Sequence, residues 1–368
     1  MAHKILNIPS VPEEAIIDYE ENIDSLVRYV NDTMTNDPIF YKLIGRNNLN
    51  KMYDNHENHA KFMVNAFRIN DYNFVYRVVV WVYNTYHKHG FSYEYFLVEL
   101  KIWCSAINKY LKPDYRTSII QVYNWLIEKH YDFVKASKDL EVNSILIPDD
   151  FKEKYPEFID SLIKGKYQKC LELVEAKVNL DNDVKELYQN IVHPAMYEIG
   201  VLWQNDMISV AQEHLASAMV QRLIAEIYIK KQKCSKKYGL GVMTAIANEY
   251  HEIGTRMVAD VLELEGWDMK HLGANTPIEE LIKFLKEEKP HFVGISATMP
   301  FNVNSVKKVI NRIRSLEELK DMKILVGGKV FNENPDLWKI VGADAWGKNI
   351  QETLDIAKEW WDDRQDDK

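Results

Sequence analysis

Cysteine is nearly absent from this chain: Cys104, Cys170 and Cys234 are all that it has, too scattered for a disulfide framework or a metal motif. No apolar run approaches the length of a membrane span, and the N-terminus lacks the apolar core of a signal peptide. The expectation is a cytoplasmic protein with no membrane partner. Positive charge is short as well, 46 Lys and Arg against 55 Asp and Glu for a formal net charge of -9. There is no basic stripe and no helix-turn-helix pattern, which argues against nucleic acid because a phosphate backbone demands a positive footprint. What is present is 46% hydrophobic residues over 368 positions, enough for real cores in two or three domains.

Aromatic residues are unevenly spread. Fourteen of the 21 tyrosines fall in the first 150 residues, together with Trp81, Trp103 and Trp125. Apolar positions there recur at helical spacing, so Phe74–Tyr86, Tyr93–Tyr110 and Ser118–Phe133 read as long helices, broken at His89-Gly90 and Lys112-Pro113. Residues 1–145 are expected to form an all-helical domain of globin-like size, with Asp139–Asp150 as linker. Arg68, Arg77, His56, His59, His87 and His89 could serve a planar chromophore, since arginines pair with propionates and aromatic rings stack on a tetrapyrrole. The plainer reading is that Tyr and Trp fill a helical core and the histidines are exposed.

The other end alternates. Strand-like runs at Leu240–Ala247, Met269–Leu272, Phe292–Ala297, Lys323–Val326 and Ala343–Trp346 are each followed by a helical pattern, at Thr255–Leu264, Ile278–Leu285, Val303–Ile313, Pro335–Val341 and Gln351–Trp361. Such alternation predicts a doubly wound parallel sheet, flavodoxin-like, over 237–366. Ligands of such sheets sit beyond the carboxyl ends of the strands. His251, Ser296 with Thr298, and Gly327-Gly328 each follow a different predicted strand, so all are delivered to one edge.

These residue types suit a large anionic cofactor with a metal centre. A neutral imidazole at His251 can ligate a metal through one nitrogen while the other donates to a carboxylate, for which Glu249 is the candidate. Gly254, Gly327 and Gly328 permit close backbone approach, and Ser296 and Thr298 supply hydroxyls. Upstream, Ser209 and Gln212 make a capping box that starts a helix near Val210, after a bend at Asn205-Asp206, and brings Glu213 and His214 into its first turn behind Trp203.

With Glu249 in the place of the more usual Asp, the loop through His251 and Gly254 resembles the D-x-H-x-x-G motif of the cobalamin-binding module shared by methionine synthase, corrinoid methyltransferase proteins and light-dependent carotenoid-gene repressors. That resemblance implies His251 as the lower cobalt ligand, with the nucleotide tail of cobalamin against Ser296, Thr298, Gly327 and Gly328. The segment from about Tyr155 to Tyr228 looks like the family's four-helix cap, within an expected domain of 150–235.

The W-x9-E-H spacing from Trp203 to His214 resembles the photoreceptor branch. It implies that Trp203, Val210 and Glu213 surround an adenosyl group and that His214 takes the upper cobalt position once light removes it. Residues 1–145 loosely resemble the bilin-binding domain of the photocobilins, which implies biliverdin or, second to it, haem. The leading expectation is an adenosylcobalamin light sensor signalling through a protein partner or homo-oligomer. The alternative is a corrinoid methyl carrier.

Overall fold

Strands β1 (Leu240–Ala245), β3 (Phe292–Ser296) and β4 (Lys323–Gly327) are near-continuous apolar runs, the composition of strands covered on both faces. Strands β2 (Asp268–His271) and β5 (Ala345–Trp346) are shorter and only half-buried. In the computed structural model, which describes residue 8 and residues 10–140, 147–175, 183–231 and 235–366, these strands form one parallel sheet in the order β2-β1-β3-β4-β5. That is the flavodoxin-like order, whose switch point lies between β1 and β3. The register sets Ala245 opposite Ser296 and Ser296 opposite Gly327, so three strand ends line up at one edge.

Helices precede the sheet: α1 (Glu13–Glu21), α2 (Ile23–Thr35), α3 (Phe40–Ile44), α4 (Leu49–Ile69), α5 (Tyr72–Lys88), α6 (Tyr93–Tyr110), α7 (Pro113–Glu128) and α8 (His130–Lys138). There follow α9 (Asp149–Lys152), α10 (Tyr155–Ile163), α11 (Tyr167–Glu175), α12 (Asp183–Leu187), a π turn (Tyr188–Val192), α13 (His193–Gln204) and α14 (Val210–Ile229). Around the strands run α15 (Ile253–Glu265), α16 (Ile278–Glu288), α17 (Val303–Arg314), α18 (Lys329–Glu333), α19 (Leu337–Val341) and α20 (Ile350–Asp366). Contacts gather the chain into two units, Met1–Val142 with Gln204–Asp206, and Asn143–Trp203 with Met207–Lys368. Residues 141–146 of the expected linker, and Cys234, lie outside the described residues.

The first unit is helical, and its aromatic residues are core: Tyr19, Tyr95, Tyr123, Trp103, Phe74 and Phe133 are buried. Asp71 starts α5 by accepting the N–H groups of Asn73 and Phe74, and Pro113 starts α7, where a missing N–H does no harm. The helix expected over Ser118–Phe133 is instead two, parted at Lys129. No Gly or Pro marks that break in the sequence.

In the second unit the apolar faces of α10, α11, α13 and α14 share a core through Phe158, Leu162, Val174, Ile199, Leu223 and Ile224. The same core takes in Met257 and Val261 of α15, so the four-helix cap and the sheet layer are fused by packing. Each such side chain, fully buried, contributes roughly 1.5–3 kcal/mol of hydrophobic stabilisation. No helix among the described residues is long and apolar enough to cross a membrane.

Candidate functional site

Beyond Ala245 the chain turns through Asn248, whose φ of 65° is left-handed, and α15 begins at Ile253. The turn carries Glu249, Tyr250 and His251. Glu249 has no exposed surface, and both its oxygens are saturated. One accepts the Nδ1 proton of His251 and that residue's backbone N–H at 3.2 Å. The other accepts the N–H groups of Thr298 (2.7 Å) and Met299 (3.0 Å) and the Nδ2 of Asn302 (3.1 Å). Burial by itself would raise this carboxyl's pKa, but His251, the Met299 amide and Asn302 bring it down to about 2. With Nδ1 committed, the His251 ring turns Nε2 outward, and its side chain is 55% exposed.

Asn302, which the sequence reading missed, joins the same hydrogen-bond cluster. It is buried at the end of a short 3-10 turn, Pro300–Asn302, and also donates to the Asn248 carbonyl at 3.1 Å. Its only trace in the sequence is Pro300 opening that turn after β3.

Ser296 ends β3 and is buried. Gly328 sits against it with φ of 98°, and a Cβ there would lie 2.3 Å from the Ala297 carbonyl oxygen and 2.8 Å from Ser296 Oγ. Glycine is therefore required twice over, by conformation and by space. Gly327 closes β4, where a Cβ would come within 3.3 Å of the Gly347 carbonyl oxygen. Thr298 is used through its N–H. Gly254 lies in the first turn of α15 with open space around it, so no protein contact demands glycine there.

The capping box forms as its spacing requires. Ser209 Oγ accepts the Gln212 N–H (3.3 Å), Gln212 Oε1 accepts the Ser209 N–H (3.0 Å), and α14 begins at Val210. Glu213 in its first turn accepts the Ser217 hydroxyl (2.8 Å) through one oxygen and His214 Nδ1 (2.7 Å) through the other. His214 is 75% exposed, again with Nε2 outward. Met207 and Val210 are exposed nearby in sequence, while Trp203 is half-buried and packs against the cap core. Gln221, two turns beyond His214 on the same face of α14, donates to Glu252 at 2.9 Å, next to His251. His214 thus stands about 10 Å along the helix from the point where α14 meets the His251 loop.

The residues nominated for a tetrapyrrole are differently placed. Arg68 is bound to Glu13 (3.1 Å) and Glu20 (2.6 Å). His56 is buried between Asn31 and the Tyr95 hydroxyl (3.0 Å), and His59 meets the Tyr123 hydroxyl at 3.1 Å. His87 bonds to the Phe91 carbonyl (3.0 Å) and stacks on Tyr93, His89 meets Lys51 (3.0 Å), and Arg77 is exposed on α5. Burial pushes the Cys104 thiol up to about 11, which leaves it unreactive.

Two imidazoles, each seated on a carboxylate, and three strand ends gathered at the β1/β3 switch point are the residue types that a metal carried inside its own ring system, with a tail to bury, would call for. Comparison with known proteins agrees. Residues 156–228 and 239–355 each match a domain family described as B12 binding domain. The chain carries a cobalamin-binding module. Over 211 residues it is 26% identical to dimethylamine corrinoid protein 2 of Methanosarcina mazei, spanning 56% of this chain and 97% of that one. Over 208 residues it is 27% identical to dimethylamine corrinoid protein 3 of Methanosarcina acetivorans, spanning 55% and 94%. Among solved structures, the monomethylamine corrinoid protein of Methanosarcina barkeri aligns with a TM-score of 0.49 and 20% identity, over 57% of this chain and 99% of that one. The two matched segments contain Trp203, Glu213 and His214 of the cap and Glu249, His251, Ser296 and Gly328 of the sheet.

Proposed function

We propose that this chain is a corrinoid methyl carrier, which holds cobalamin between its helical cap and its parallel sheet and presents it to methyltransferase partners. The observation that carries the reading is the saturated Glu249 carboxylate holding His251 with Nε2 outward at the sheet edge, in a chain whose relatives are named as methylamine corrinoid proteins. When bound, the cofactor supplies a cobalt that takes and gives up a methyl group. The protein holds and shields it. His251 offers an imidazole nitrogen from the sheet side, Ser296, Thr298, Gly327 and Gly328 would take the tail at the strand ends, and Gly254 leaves bare backbone beside the loop. Trp203, Val210, Glu213 and His214 serve the other face from the cap.

Titration of the purified chain with methylcobalamin in the dark tests this. Binding should be saturable, and His251→Ala should weaken it roughly 10–100-fold. In a separate sample loaded with hydroxocobalamin, full reduction with titanium(III) citrate followed by methyl iodide, with iodide leaving, should give the methylated absorbance spectrum. A chain that binds cobalamin and cannot be cycled in this way is not a methyl carrier.

A light sensor that uses adenosylcobalamin is the second reading, favoured by one observation: Glu213 orients His214 just as Glu249 orients His251, so a second imidazole is ready on the cap side. Its output would pass to a protein partner or through a homo-oligomer. Green light on the adenosylcobalamin-loaded chain separates the two readings, because only a sensor of this kind gives a lit spectrum that changes in His214→Ala. No feature of the described residues in the first unit favours biliverdin or haem.

A further inference from the structure

Within the largely apolar core where the cap joins the sheet layer there is a buried polar contact. Tyr188, with no exposed surface, opens the π turn that runs into α13, and its hydroxyl lies 3.1 Å from the Ile224 carbonyl of α14 and 3.2 Å from Asp260 Oδ2 of α15. Asp260 is itself buried and accepts Arg256 Nε at 2.7 Å, one turn back on α15. The Arg256 guanidinium lies 5.8 Å from the centre of the Tyr228 ring of α14. Three helical lines therefore meet at one oxygen. The first leads to Trp203, the second carries Glu213 and His214, and the third begins at Ile253 just after His251.

Only one of the two acceptors, Asp260, needs this hydroxyl for stability. The Ile224 carbonyl lies within α14 and has an intrahelical partner, so it needs no further donor. Asp260 Oδ2 is buried and has Tyr188 as its donor, and a single hydroxyl proton cannot fully serve two acceptors, so the contact with Ile224 sets the spacing of α14 and α15 more than it adds bonding. The π turn points the same way, since π turns are uncommon and are found often at functional sites.

We infer that Tyr188 is a positioning residue, which fixes the gap between the cap face bearing Trp203, Glu213 and His214 and the sheet edge bearing His251 without touching the cofactor. The inference rests on the cobalamin-binding reading of the same site. The test uses the full chain loaded with hydroxocobalamin, and two readouts are taken in parent, Tyr188→Phe and Asp260→Asn. One is the rate at which cyanide displaces the upper ligand, followed by absorbance. The other is the electron paramagnetic resonance spectrum after one-electron reduction, where nitrogen coupling reports His251. Tyr188→Phe should exchange about tenfold faster than the parent with nitrogen coupling retained. Asp260→Asn, which leaves Tyr188 its bond to Ile224, should fall between them. A Tyr188→Phe chain that melts at a lower temperature yet exchanges at the parent rate would overturn the role and leave a merely structural hydroxyl. A parent chain that takes up no cobalamin overturns the cobalamin reading and, with it, this role.

Discussion

The carboxylate of Glu249, wholly withdrawn from solvent, accepts the Nδ1 proton of His251, whose own side chain is more than half exposed. A buried charge thereby steers a surface ring. The Glu249 pKa falls from 4.5 to about 2 in the fold, against its own burial and through His251 and the donors on the β3 side. A carboxyl depressed in this way stabilises the fold above pH 4.5 and loses that contribution as pH falls toward 2, at most on the order of 3 kcal/mol. Glu249→Gln should therefore flatten the acid limb of a urea-midpoint profile between pH 4.5 and pH 2. An unchanged acid limb would mean that the carboxylate is not held as described.

Gly328→Ala should destabilise the second unit by about 2–4 kcal/mol, from a strained φ and from the approach of the new methyl to Ala297 and Ser296. Thermal melts of the two chains give the answer directly. A melting point within a degree of the parent would show that the β4 end can yield.

Asn302→Asp places a second carboxylate within reach of Glu249 Oε2. Like charges raise each other's pKa, so the variant should be destabilised by about 2–4 kcal/mol at pH 7 and should regain much of that near pH 5 as one of the two takes a proton. Denaturation at the two pH values measures this, and equal losses at both would remove the charge explanation.

The sheet was legible in the sequence because its central strands are buried on both faces and read as unbroken apolar runs. Each observed strand falls within a residue or two of its expected bounds, the run at Leu240–Ala247 ending at Ala245 and that at Ala343–Trp346 starting at Ala345. The edge residues were legible for the same reason: once strand ends are known, His251, Ser296 and Gly328 must gather there. Asn302 was not legible, since its tie to Glu249 spans 53 residues and follows no spacing rule. The π turn at Tyr188 was not legible either, because a widened turn leaves the apolar periodicity of its flanks nearly intact. In the first unit, aromatic content told of a core and nothing of its polar interior.

That polar interior makes the stability of the first unit depend on pH. Glu99 is buried with Trp103 Nε1 donating to it at 3.1 Å and His56 at 4.0 Å. Burial drives Glu99 up to about 8 and His56 down to about 3, so both are neutral at pH 7 and form no ion pair. A carboxyl raised in the fold lends its full stability below pH 4.5 and loses it as pH climbs through about 8. The parent should be up to about 4 kcal/mol less stable at pH 8 than this group allows at pH 5, and Glu99→Gln should close much of that gap in paired urea titrations.

A π turn holds one residue more than the α turn that it replaces. Along an α-helix each residue advances the bearing of its side chain by about 100°. Shortening Tyr188–Val192 by a single residue would swing every position from His193 to Gln204 round the helix axis by that angle, turning Trp203 off its present side of the cap. Which side chains α13 turns toward each side of the cap is decided upstream, by the length of one turn and not by the identity of the side chains themselves.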